Sequence, residues 1–240
     1  MVDELARSAE LLAQSERETA WREMAKQIAH EIKNPLTPMK LNVQHLQRTL
    51  LEGDGNREEK VNKVCRTLTE QIDSLSSIAN EFSDFAKMPR ARYERINLVR
   101  KLQNTLELFS STASVSLDLD TGSWKEVWVY GDKEQLMRVF INLIKNGMQS
   151  VPDTRKAHIR ITMEMVEEGM VQVAVSDNGR GIPEDIRDKL FRPNFTTKSS
   201  GMGMGLAISA NIIKAMGGDI RYETESGLGS TFYVTLPVNS

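Results

Sequence analysis

Residues 24–50 read Met24-Ala-Lys-Gln-Ile-Ala-His-Glu-Ile-Lys-Asn-Pro-Leu-Thr-Pro-Met-Lys-Leu-Asn-Val-Gln-His-Leu-Gln-Arg-Thr-Leu50. The apolar residues Met24, Ile28, Ile32, Leu36, Met39, Val43, Leu46 and Leu50 recur at spacings of three and four, the stripe of an amphipathic helix. A second stripe of Val61, Val64, Leu68, Ile72, Leu75, Ile78, Phe82 and Phe85 follows the break Glu52-Gly-Asp-Gly-Asn56. A glycine-rich break between two helical stripes predicts an antiparallel helical hairpin, over residues 21–90. Each helix of a lone hairpin hides only one side of its stripe, so the expectation is a homodimer in which two hairpins form a four-helix bundle. Upstream, Leu5, Leu12 and Thr19 fall seven apart, which predicts a short coiled-coil linker helix over residues 1–20.

Within the first stripe, His30 lies two residues from both Ile28 and Ile32, about 200° around a helix from each, and so faces away from the hairpin core. A lone helical histidine is most often a solvated surface residue. Here, however, Pro35 and Pro38 follow inside the same helical pattern, where each removes a backbone hydrogen bond at a cost of about 3 kcal/mol. The expectation is a kink just after an exposed imidazole.

After Met88-Pro89 the texture changes. Alternating or β-branched runs at 114–119, 126–130, 158–166, 170–176, 219–224 and 230–236 are separated by helical patterns near 97–109, 132–150 and 203–216. Residues 91–240 are therefore expected to form an α+β domain. Hydrophobic residues make up 40% of the chain, enough for real cores. With Lys+Arg 31 against Asp+Glu 33 the net charge is -2, which supplies no cationic excess for nucleic acid or an anionic membrane. The single Cys65 excludes an intrachain disulfide, and His30, His45 and His158 show no metal-ligand spacing, so a reducing, cytoplasmic compartment fits. The longest uncharged runs, 199–213 and 226–240, hold 15 residues, short of the ~18 that read as a membrane span. Any membrane attachment is expected only through upstream segments.

The second half carries nucleotide-binding signals. No Gly-Lys dipeptide occurs, which excludes a P-loop. Asp177-Asn-Gly-Arg-Gly-Ile-Pro183 follows the apolar Val171, Val173 and Val175. There an Asp can accept from an adenine amine while Gly179 and Gly181 let backbone approach the ring; taken alone, Asp-x-Gly-x-Gly is also a turn signature. Gly201-Met-Gly-Met-Gly205 opens a helix expected to begin at Leu206, which places free N–H groups of Gly201, Gly203 and Gly205 and a positive dipole end where phosphates can sit. The spacing and the absence of a preceding strand argue against a Rossmann turn. Asn142 and Asn146 lie one helical turn apart, and amide oxygens suit Mg²⁺.

The stretch His30-Glu-Ile-Lys-Asn-Pro-Leu-Thr37 resembles the H-box of bacterial sensor histidine kinases. Residues 142–146, 177–181, 191–195 and 201–205 resemble, in order, the N, G1, F and G2 boxes of that family's Bergerat-type (GHKL) ATP domain. The resemblance covers about residues 21–237. It is greatest to the nitrogen-regulation branch of NtrY or NtrB type, on Trp21 to Gln47 and on Glu81 to Pro89. It implies a phospho-accepting His30, with Glu31 as general base holding the other ring N–H. Asn34 would orient a water for dephosphorylating the partner. It further implies ATP and Mg²⁺ as cofactors, with Asn146 on Mg²⁺, Asp177 on adenine, Lys145 and Lys198 near the phosphates, and Thr231 supporting Asp177 through a water. Residues 192–202 resemble a mobile ATP lid, and a cognate response regulator is the implied partner. The implied location is the cytoplasmic portion of an inner-membrane sensor.

Two departures matter. Gly147 stands where the family mostly has Ala after the Mg²⁺ asparagine, which costs ~1 kcal/mol of helix propensity. Asn142 stands where ATPases of the same fold carry a water-activating Glu, which disfavours an ATP-driven conformational machine. A non-catalytic dimeric scaffold is the other rival, disfavoured because all four boxes are intact.

Overall fold

The structure, a computed structural model, describes residues 28–29, 32–48, 57–86, 91–110, 115–167, 169–192, 195–196 and 203–239. The chain divides into two compact units, one of residues 1–88 with 196–202 and the other of residues 89–195 with 203–240.

The first unit is helical. Helix α1 covers residues 28–29 and 32–48, and α2 covers Arg57–Ala86. On α1, Ile28 and Pro35 are buried and Asn42 is half-buried; on α2, Val64 and Ile78 are buried and Gln71 is half-buried. Both series step by seven, as in coiled-coil packing. The prolines expected to kink α1 do not end it: the helix runs from 32 to 48 through Pro35 and Pro38. The Thr37 hydroxyl donates to the Lys33 carbonyl at 3.1 Å, one turn back, in this same stretch.

The second unit is a two-layer sandwich. Its elements are β1 (Tyr93–Asn97), α3 (Leu98–Glu107), β2 (Val115–Asp120), β3 (Trp128–Asp132), α4 (Lys133–Ser150), β4 (Ala157–Glu167), β5 (Met170–Asp177), a 3-10 turn (Glu184–Lys189), α5 (Gly205–Ala215), β6 (Asp219–Glu225) and β7 (Gly229–Pro237). Strands run in the order β2-β4-β5-β7-β6, with β2 and β4 parallel and the other pairs antiparallel. A separate antiparallel ribbon joins β1 to β3. Period-two alternation places Ile159, Ile161, Met163, Val171, Val173, Val175, Phe232, Val234 and Leu236 on one face, all buried. Against them pack the helices, led by α4 with Leu136, Val139, Phe140, Leu143 and Ile144 at 0–1% exposure. Each of these side chains contributes on the order of 1.5–3 kcal/mol by burial.

The expected elements of this unit are all present, with ends moved by one or two residues. Strand β1 was not expected, because only Ile96 of its five residues is buried and Tyr-Glu-Arg-Ile-Asn shows no alternation. Helix α5 begins at Gly205 rather than Leu206. Among the described residues, no helix is long and apolar enough to cross a membrane.

Candidate functional site

Helix α4 organises the site, and Asp132 fixes where it starts. The Asp132 carboxylate accepts from the N–H groups of Glu134 and Gln135 at 2.9 Å each and from that of Arg92 at 2.7 Å. These bonds cap the helix and tie it to the chain entering β1.

At the other end of α4 lies Asp177, the last residue of β5. Its Oδ1 accepts from the Ser150 hydroxyl at 2.9 Å and from the Gly179 N–H at 2.8 Å. Burial pushes the Asp177 carboxyl above the usual range, opposed by hydrogen bonds from the Gly179 N–H, the Ser150 hydroxyl and the Ser230 N–H. A Cβ at Gly179 would collide with both the Ser150 hydroxyl and Asp177 Oδ1, so only glycine allows this approach. Around the loop, the Ser150 carbonyl accepts from the Arg180 N–H at 3.2 Å and from its guanidinium at 3.3 Å. Asn178 accepts from the His158 N–H at 2.8 Å and donates to the Lys156 carbonyl at 3.1 Å. The Asp177 loop is thereby pinned to α4 and to the start of β4.

Towards the middle of α4, Asn142 donates to the Ser209 hydroxyl at 3.1 Å, and Ser209 in turn donates to the Gly205 carbonyl at 2.8 Å. The Asn146 amide nitrogen faces Asn142 Oδ1 at 3.5 Å. Gly205 starts α5 directly against the Asn142 amide. Gly203 has φ +62° and lies against the Phe195 backbone, a conformation and a contact that exclude a side chain. The free N–H end of α5 is thus fixed beside the two asparagines, where anionic groups are favoured. Leu206 is half-buried and Lys145 is exposed on α4. Among the described residues, no group of three or more His, Cys, Asp or Glu is placed to hold a metal ion. A hard cation here would take amide, water and phosphate oxygens.

One expected residue sits on the wrong face. Thr231 pairs with Ser176 at 2.9 Å between side-chain oxygens, on the sheet face opposite the helices. Its neighbour Ser230, 6% exposed, is the residue across from Asp177, and its hydroxyl lies 2.9 Å from that of Thr224. Successive strand residues point to opposite faces, so an offset of one moves the hydroxyl across the sheet. Gly181, at φ +72°, lies against the Glu225 carbonyl and forms the turn after Asp177. Sequence reading also passed over Ser150, although Asn142, Asn146 and Ser150 form a polar row at steps of four. Asn34 is exposed on α1. His30, Glu31, Lys198 and Gly201, most of the expected lid and the expected coiled coil lie outside the described residues.

A half-buried acceptor carboxylate at one end of α4 and a glycine-opened helix N-terminus beside its asparagines make up the site of this sandwich. Residues 131–240 match the family described as histidine kinase-, DNA gyrase B-, and HSP90-like ATPase, and residues 20–90 match the His Kinase A (phospho-acceptor) domain. The chain belongs to the histidine kinase family, as a phospho-acceptor helical hairpin followed by an ATP-binding domain.

Among curated relatives, Sporulation kinase E of Bacillus subtilis is 33% identical over 90% of this chain and 28% of its own length. The signal transduction histidine-protein kinase AtoS of Escherichia coli is 32% identical over 95% of this chain and 36% of its own. Nitrogen regulation protein NtrY of Azorhizobium caulinodans is 29% identical over 94% of this chain and 30% of its own. NtrY-like kinases thus stand among the relatives at modest identity, alongside other kinases. The chain spans about a third of the length of these relatives. A solved structure of histidine kinase ThkA in complex with response regulator protein TrrA is similar at TM-score 0.67 and 26% identity, over 94% of this chain and 64% of that one. A catalytic domain of ThkA in a nucleotide-free form is 29% identical at TM-score 0.54, over 61% of this chain and 97% of that one.

Proposed function

We propose that this chain is the catalytic core of a dimeric sensor histidine kinase that phosphorylates His30 from Mg·ATP and passes the phosphoryl group to an aspartate of a cognate response regulator. The observation that carries this reading is the polar row on α4. Asn142, Asn146 and Ser150 follow one face from the N-terminus of α5 to the Asp177 carboxylate. At ~1.5 Å per residue the row is about 12 Å long, a length suited to a nucleoside triphosphate. Adenine would donate its amine to Asp177, and the phosphates would lie at the α5 N-terminus, with Lys145 and Lys198 the candidate phosphate-binding lysines. The Asn146 amide oxygen would hold Mg²⁺ together with water and phosphate oxygens, and the ion would screen the charge of the transferring group.

In the transfer step a neutral nitrogen of His30, in the same or the sister subunit, attacks the γ-phosphorus. The bond from that phosphorus to the β–γ bridging oxygen breaks, and ADP leaves with the electron pair. Glu31 holds the N–H of the other ring nitrogen and takes its proton as the ring becomes cationic. The resulting phosphoramidate is the donor to the receiver aspartate, and Asn34 orients the water that reverses partner phosphorylation. Dimerisation is supported by the exposure of Ile32, Leu36, Val43 and Ile72 on α1 and α2, apolar positions that a second hairpin would cover. The response-regulator partner is supported by the likeness to ThkA, whose solved complex holds TrrA. ATP as phosphoryl donor supports a place in the cytoplasm, and we assign the chain to the cytoplasmic portion of an inner-membrane sensor.

The test is labelling with γ-labelled ATP and Mg²⁺, wild type beside His30→Gln, with the chemical stability of the label. An alkali-stable, acid-labile label that is absent from His30→Gln is the expected result. Label persisting in the variant, or ATP hydrolysis without label in the wild type, refutes the assignment.

A further inference from the structure

Ser150 reaches Asp177 from the end of α4, and it is tied down at both ends. Its carbonyl accepts from the Arg180 N–H and guanidinium at 3.2 and 3.3 Å. Its hydroxyl lies 2.9 Å from Asp177 Oδ1 and 2.7 Å from the Gly147 carbonyl. The hydroxyl has one proton for these two acceptors. A carboxylate is the stronger acceptor, so the proton goes to ionised Asp177. The Gly179 N–H reaches the same oxygen, at 2.8 Å. The Ser150 hydroxyl and the Gly179 N–H thus converge on Oδ1, the Ser230 N–H adds a third donor to the carboxyl, and Oδ2 faces Gly147, where a Cβ would lie 3.7 Å from it. Two donors on one oxygen fix the rotation of the carboxylate plane, and the second oxygen retains acceptor capacity for a ligand, since a carboxylate oxygen accepts more than one hydrogen bond.

We propose that Ser150 is a positioning residue for base recognition: with the Gly179 N–H it clamps Asp177 Oδ1, so that Oδ2 is presented to the exocyclic amine of a 6-aminopurine. This rests on the assignment of Asp177 to the adenine base. The clamp depends on Gly179, since a side chain there would occupy the space of the Ser150 hydroxyl. It also explains why the end of α4 is joined to the Asp177 loop rather than left to solvent, since helix and carboxylate must keep one register for the hydroxyl to reach.

The experiment compares equilibrium binding of ATP with that of purine riboside triphosphate, which lacks the 6-amino group, on the chain as it stands and on Ser150→Ala and Ser150→Thr. Both nucleotides are titrated on one preparation, so loss of folded protein scales both alike and leaves their ratio unchanged. The expected result is a preference for ATP that falls about three- to tenfold in Ser150→Ala, the scale of one hydrogen bond to a charged group. Affinity for purine riboside triphosphate is expected to hold, and Ser150→Thr, which retains the hydroxyl, to keep the preference. A preference that is intact in Ser150→Ala, or lost in both variants, overturns the role of Ser150 alone. If the unsubstituted chain binds both nucleotides alike, the assignment of Asp177 to the base falls and the clamp with it.

Discussion

Asp132 and Asp177 lie at opposite ends of the same helix and have opposite fates. At the N-terminus of α4, burial works against the Asp132 carboxylate, but the N–H groups of Gln135, Arg92 and Glu134 hold its pKa below the usual range. Close to the C-terminus of α4, Asp177 also meets three donors, from Gly179, Ser150 and Ser230, but burial outweighs them and keeps its pKa above that range. The difference teaches how one residue type becomes either structure or site. Where N–H groups outweigh burial, at the start of the helix, the charge is absorbed into the fold; where burial outweighs the donors, the charge is left under-compensated and able to take a donor from a ligand.

Substitutions at the two positions should therefore separate binding from stability. The largest effect is expected from Asp177→Asn, which turns an acceptor oxygen into a donor facing the adenine amine. ATP affinity should fall about 10- to 100-fold in a binding titration, with no loss of stability in a urea melt at pH 7. If ATP affinity survives, Asp177 does not read the base. Asp132→Ala should do the reverse, lowering stability by about 1–2 kcal/mol through loss of the cap while leaving ATP affinity within about twofold.

The pH dependence of these two variants should differ in sign. A lowered pKa makes the Asp132 contribution full above the unfolded value of about 3.9 and lost as pH falls through the folded value. A raised pKa makes the Asp177 contribution full below about 3.9 and lost as pH rises through the folded value. Urea melts at several pH values should thus show the deficit of Asp132→Ala shrinking towards acid, while wild type gains on Asp177→Asn over the same change. Parallel curves for both variants would erase the contrast.

The smallest effect is expected at Gly147, between the two ends. Its added Cβ would lie 2.8 Å from Ile159 Cδ1, the far end of a flexible side chain, and 3.1 Å from Asp177 Cβ. Gly147→Ala should gain up to about 1 kcal/mol of helix propensity, reduced by the shift that Ile159 must make. Thermal denaturation should show a small rise in Tm, with ATP affinity changed by no more than about threefold. A large loss of affinity would mean that the space beside Asp177 is itself part of the base site.

Legibility from sequence differed between the site's parts for physical reasons. Gly179, Gly181, Gly203 and Gly205 stand out in the sequence because close backbone approach or positive φ needs glycine, a demand written into the residue itself. That Asn142 and Asn146 share one face of α4 is legible because a step of four fixes a helix face. The resemblance pointed to Thr231, whereas pairing with β5 puts Ser230 across from Asp177, because which of two adjacent hydroxyl residues takes which face of β7 depends on that pairing. Strand β1 escaped because its pairing with β3, rather than any pattern of its own, makes it a strand.

By itself the sequence determined the helical hairpin stripes, the alternation of the sandwich and the order of the nucleotide motifs, because periodicity and glycine placement are local properties of the chain. Only the tertiary structure decided which hydroxyls meet Asp177, that its Oδ1 is taken from both α4 and its own loop, and that Asp132 is a cap rather than a site. Those outcomes depend on residues 27 and 40 positions apart being brought within about 3 Å, and on burial that no local pattern records.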